Sequence, residues 1–170
     1  MLGEKELERG DLVPGERIST RVHATGGGPQ TGAHDLLVRR WISDSNWSNL
    51  KAGQTYQSVN SNYLIYKRPV YAMAGGTVVG CWRNAPENSG HNQRPEVLGS
   101  KKILLQGNHL WIKQADGNFA LYAHGPTGDI PASLCPHNAQ FLTGTAGPGP
   151  VVTEPEAVVN GGATVTAGQL

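Results

Sequence analysis

The sequence predicts an all-β, loop-rich antiparallel fold with little helix, and three observations carry that expectation. Apolar residues alternate with a period of two from Arg68 to Trp82 and again from Gly107 to His124. Turn chemistry interrupts each stretch where a hairpin would reverse: Gly75-Gly76 in the first, Asp116-Gly117-Asn118 in the second. The 23 glycines and 11 prolines among 170 residues imply many turns and long loops, and they argue against a helical bundle.

Taken in order, residues 1–20 read as a polar lead-in with a turn at Pro14-Gly15. Residues 21–170 then read as one domain, in keeping with the chain's length. Gly26 to Pro29 is loop, followed by a short apolar strand at Leu36-Leu37-Val38. Trp41 to Tyr66 is rich in Asn and Ser and carries Trp47, Tyr56 and Tyr63, which suits either a groove wall that stacks on substrate or plain loop packing. Strands are expected over 69–73, 76–82, 102–106, 108–115 and 118–124. In the last of these, Phe119, Leu121 and Ala123 share the face expected to point into the core, and Tyr122 and His124 share the other.

Arg83 to Ser100 is a long loop or lid between strands, with His91 exposed in it. After His124 the pairs Gly125-Pro126 and Thr127-Gly128 break the strand, and Ile130 to Leu134 is a candidate cover for the core. His137 stands in a loop with no partner at ligand spacing, which makes it structural. Gly144 to Glu156 is a Pro- and Gly-rich connector.

Charge and hydropathy exclude some classes of function. The net charge is +1, and the basic residues are scattered apart from pairs such as Arg39-Arg40 and Lys101-Lys102, neither of which makes a nucleic-acid footprint. No apolar run approaches the roughly 20 residues of a membrane span. Met1 to Asp11 mixes both charges without an apolar centre, so it does not read as a signal peptide. Cys81 and Cys135 lack a C-x-x-C partner and are not expected to bind zinc. A disulfide and buried free thiols both remain open for them.

The order P-V-Y-A (69–72), G-G-T-V-V (75–79), G-N-x-L-W-I-x-x-x-D-G (107–117) and L-Y-A-H (121–124) resembles the lysostaphin-type zinc endopeptidases, which cut peptide cross-links in bacterial cell walls. The combined order and spacing is the specific signal; each piece alone is weak. The resemblance implies an antiparallel β-sandwich or half-barrel. It also implies that His124, matching the family's Y-x-H histidine, is catalytic and not a zinc ligand. The competing reading of His124 is a strand-end histidine hydrogen-bonded within the sheet.

The family's metal residues lie upstream, usually as H-x-x-x-D, with a longer spacer before A-x-D-Φ in some relatives. Ala33-His34-Asp35-Leu36 fits the second form, which makes Asp35 the candidate carboxylate ligand; Thr31 stands where the compact form needs His. His23 is then the candidate imidazole ligand across the glycine-rich loop. His34 competes by proximity, although adjacent strand residues point to opposite faces. The plainer readings are a solvated loop histidine and an aspartate that opens a strand.

Asn160 to Leu170 resembles the family's G-x-x-V-x-x-G-Q strand and turn. In the family a hairpin with H-x-H follows, whose second histidine is the third zinc ligand and whose first assists catalysis. These 170 residues contain no H-x-H and no histidine after His137. Two expectations follow: a peptidase domain lacking its last hairpin, or a non-catalytic relative that binds cell wall or protein.

On the enzyme reading, zinc polarises the scissile carbonyl and brings the pKa of its bound water to about 7, with His124 steadying the oxyanion or shuttling a proton. A wall enzyme acts in the cell envelope or outside the cell, which requires a start further upstream or another export route. Action inside the cell stays open. A lipoyl-type carrier is the remaining class, since G-G-T-V-V hairpins recur there. It needs a lysine at a hairpin tip, and neither Gly75-Gly76 nor Asp116-Gly117-Asn118 supplies one.

Overall fold

The computed structural model describes residues 12–22, 33–55, 59–87, 101–102, 106–136, 142–143 and 162–169. Among the described residues nine strands run in chain order: β1 Glu16–Val22, β2 His34–Ser43, β3 Asn46–Ser48, β4 Gly76–Trp82, β5 Lys101–Lys102, β6 Asn108–Gln114, β7 Phe119–Gly125, β8 Leu142–Thr143 and β9 Thr164–Val165. Among the described residues the helical structure is a 3-10 turn at Asn60–Asn62. The all-β, loop-rich expectation holds. Every ladder is antiparallel, and the sheets are β1-β2-β3, β7-β6-β4-β9 and the small pair β5-β8.

The four-stranded sheet forms where the alternating stretches predict it. Val78, Cys81, Leu110, Ile112 and Val165 turn one face of it into a core, which Ala72, Leu134 and Cys135 complete. Ile130 packs at its margin, so the segment expected to cover the core does so. Cys81 and Cys135 are joined by a disulfide with their Cα atoms 5.6 Å apart, which ties β4 to that cover. The turn between β6 and β7 is the one its residues specify. Gly117 has φ +86°, Gly117 N–H donates to Gln114 O at 3.0 Å, and Gln114 N–H donates to Asn118 O at 2.8 Å. The Asp116 carboxylate accepts from Asn118 N–H and from its side-chain amide, bonds that hold its pKa below the ordinary value.

Several expectations change. Residues 69–73 are not a strand, and Gly75-Gly76 is not a hairpin turn, because Gly76 already opens β4. A Cβ on Gly76 would lie 2.4 Å from Lys113 O, so the glycine serves close strand approach. Ala72 bonds to the chain's far end instead: its N–H donates to Gln169 O and its carbonyl accepts from Gly168 N–H. In β7 the facing is inverted. Register sets Tyr122 opposite Leu110 and Ala120 opposite Ile112, so Tyr122 packs on the core while Phe119 and Leu121 are exposed. The strand expected over 102–106 is described only at Lys101–Lys102, with Gln106 in a turn; 103–105 lie outside the described residues.

The first sheet was foreseen only in part. β1 occupies residues 16–20 of the stretch read as a polar lead-in, and β2 runs well beyond Leu36-Leu37-Val38. β2 pairs with β1 on one side and β3 on the other. Its inner face buries Val38, against which Ile18, Leu64, Leu12 and Ile65 pack as a second small core. The Asn- and Ser-rich stretch from Trp41 therefore begins as the β2–β3 hairpin.

Candidate functional site

The residues quoted for the resemblance come together around the four-stranded sheet. Segment 71–73 lies beside the 168–169 turn through Ala72, and Met73 N–H donates to the Tyr122 hydroxyl at 2.8 Å. Gly107 and Asn108 form the corner that enters β6. Gly107 has φ +56°, a conformation that favours glycine. Asn108 is buried, and its side-chain amide closes two bonds with Ala85, accepting from its N–H at 2.7 Å and donating to its carbonyl at 3.0 Å. It also donates to Gly125 O at 3.1 Å. Asn108 thus fastens the end of β7 to the segment that follows β4. Glu87 reinforces the corner, accepting from Tyr66 OH at 3.0 Å and from Thr127 N–H at 2.9 Å.

His124 stands at this corner. Between Leu110↔Tyr122 and Asn108↔Gly125, β7 spends one residue more than β6, so Ala123 and His124 together face His109. The bulge residue His124 has φ +64°, and its N–H donates to Gln106 O at 2.9 Å. Bulges re-aim side chains. This one breaks the alternation that would have given Tyr122 and His124 a common face: Tyr122 packs on the core and His124 is exposed.

Sequence reasoning missed His109 as a site residue. It is fully buried opposite Trp82, and its Nδ1 lies 2.8 Å from Gly107 O. A carbonyl only accepts, so Nδ1 carries the proton and Nε2 the lone pair. Nε2 is buried and has no hydrogen-bond partner among the described residues. Burial lowers the His109 pKa, and the charge of His124 lowers it further, against the opposing bond to Gly107. The arrangement is a neutral, orientation-locked imidazole behind an exposed one. The only hint in the sequence was a histidine at an alternate position of a predicted strand.

Of the candidate metal residues, the described ones lie on the other large sheet. Asp35 and His34 are both exposed at the start of β2, where Arg21 stands opposite Asp35 and Val22 opposite His34. His23, together with the closeness expected between it and Asp35, lies outside the described residues, as do Tyr56, His91, His137 and the 144–156 connector. Among the described residues no three His, Cys, Asp or Glu side chains gather where they could hold a metal ion. Asp35 is an oxygen donor suited to zinc, but the described residues do not by themselves compose a three-ligand site. No helix among the described residues is long and apolar enough to cross a membrane.

No family model, curated protein sequence or solved structure matches this chain.

Proposed function

We propose that this domain belongs to a zinc-dependent endopeptidase that hydrolyses peptide bonds of bacterial peptidoglycan cross-links, acting in the cell envelope or outside the cell. His124 is its proton-handling residue, and His23 and Asp35 are two of its metal ligands. On this reading a further histidine, of the family's H-x-H kind, completes the metal site. The supporting observation is convergence: motif pieces spread from Pro69 to Gln169 meet at one sheet, and His124 is the exposed imidazole at its corner. Lysostaphin-type enzymes share that order of pieces. The chain's own contribution to the chemistry is positional. Backbone bonding to Gln106 and the bulge fix where His124 stands, and the neutral His109 behind it adds no competing positive charge near neutral pH.

A second reading has its own support. Arg21 opposite Asp35 offers the carboxylate a guanidinium in place of a metal, as in a catalytically inactive relative that binds cell wall or protein. Zinc titration of the purified chain separates the two. Asp35→Ala and His23→Ala should each weaken zinc binding by about tenfold or more, about 1.4 kcal/mol. His124→Ala should leave zinc affinity unchanged while abolishing the release of free amines from purified peptidoglycan by a protein that carries the third ligand. Zinc affinity indifferent to both ligand substitutions would overturn the peptidase reading in favour of the binding module.

A further inference from the structure

The outer face of the β1-β2-β3 sheet gathers cations and aromatic rings. Val38 and Ile18 point inward, so the residues alternating with them point out: Arg17, Ser19 and Arg21 on β1, and Asp35, Leu37, Arg39 and Trp41 on β2. Trp47 of β3 joins them, edge to face with Trp41 at a centroid distance of 5.3 Å. The Arg17 guanidinium lies over the Trp47 ring, 3.9 Å from its centroid. Trp41 remains 47% exposed.

Two features of this face call for an anion. Arg17 and Arg39 are directly opposite in the ladder, a like-charge pairing that destabilises a sheet. Neither forms a salt bridge with a described residue. Three guanidiniums against the single Asp35 carboxylate also make this face markedly more cationic than a chain whose net charge is only +1. The geometry points to a docking surface for an acidic polysaccharide, with a uronate carboxylate bridging Arg17 and Arg39 and a sugar ring lying on Trp41.

Arginine suits this role because its planar fork meets a carboxylate through two parallel hydrogen bonds. Trp41 offers a broad apolar plane to the C–H face of a pyranose. Single-stranded nucleic acid fits less well, since it stacks successive bases on several rings. Here Arg17 already covers Trp47, leaving Trp41 as the free platform of the pair. The surface is independent of His124 and of zinc, so its test does not depend on the peptidase reading.

The experiment titrates the full chain with tetragalacturonate, following tryptophan fluorescence and heat, beside neutral maltotetraose and a short oligothymidylate. Expected is binding of tetragalacturonate that weakens by about tenfold in each of Trp41→Ala, Arg39→Gln and Arg17→Gln, with unchanged circular dichroism. Raising salt from about 50 to about 500 mM should weaken it as well, because the charges are exposed. Maltotetraose binding as tightly as tetragalacturonate, oligothymidylate binding more tightly, or affinity indifferent to all three substitutions would each overturn the proposal.

Discussion

Burying an imidazole has a definite consequence for acid stability, and His109 is the imidazole concerned. Its folded pKa is lowered, chiefly by burial, so between the folded and unfolded values the unfolded chain binds more protons. The contribution of neutral His109 is therefore fully present above its unfolded pKa of about 6.5 and is lost as pH falls through the lowered folded value. Urea unfolding at about pH 7.5 and about pH 5 should show stability falling on acidification, with one proton contributing at most about 1.4 kcal/mol per pH unit. His109→Gln should lose that component of the slope while lowering stability at both pH values. An unchanged slope would assign the acid sensitivity elsewhere. Little of this was legible beforehand, because a histidine at an alternate strand position carries no mark of which face it takes. The face follows from the register with β4 and from a bulge in β7, both long-range facts.

At the scale of elements, strands with strong alternation and a matching turn were legible: β4, β6 and β7 lie where their residues put them. Their facing was not. Phe119 and Leu121 are the larger hydrocarbon groups, yet a two-residue period cannot say which of its faces meets the partner core. Here Leu110 and Ile112 made the choice, and Tyr122 followed them because it pairs with Leu110. Short elements such as β9 escape periodicity altogether, since two residues define no period. What seats β9 is the approach of Gly162 to β4: a Cβ there would lie 1.7 Å from Val78 O, and Val78 N–H donates to Ala163 O at 2.9 Å. Gly162→Ala should therefore push the segment off β4. Hydrogen exchange would register this as faster exchange of the Val78 amide, with the β6–β7 amides unaffected. Val78 protection equal to that of the parent protein would show that β9 is held by other contacts.

For the molecule as a whole, the described residues gather around two cores, one on each of the larger sheets, and a polar contact between Glu16 and Arg68 ties distant parts of the chain together at the second. Alternation foretold the core on the four-stranded sheet. The core around Val38 was largely hidden, because β1 reads as Glu-Arg-Ile-Ser-Thr-Arg-Val, polar enough to pass for a lead-in. Its polar residues are used: Glu16, its side chain only 3% exposed, receives Arg68 through Nη2 at 2.9 Å to Oε2 and 3.2 Å to Oε1. Val13 N–H also donates to this carboxylate, while Arg68 Nε donates to Leu64 O. Arg68 therefore ties the first strand to the segment whose Leu64 and Ile65 cover it. Removing one partner of a buried pair costs more than removing both, because the survivor stays desolvated and uncompensated. Arg68→Met should destabilise the protein by about 3 kcal/mol. Glu16→Leu in the same chain should restore most of that loss, since an apolar pair can replace a buried ionic one. Urea unfolding of the two single variants and the double variant measures the coupling directly. Additive losses, with the double variant as weak as the sum of the singles, would show that Glu16 and Arg68 act separately.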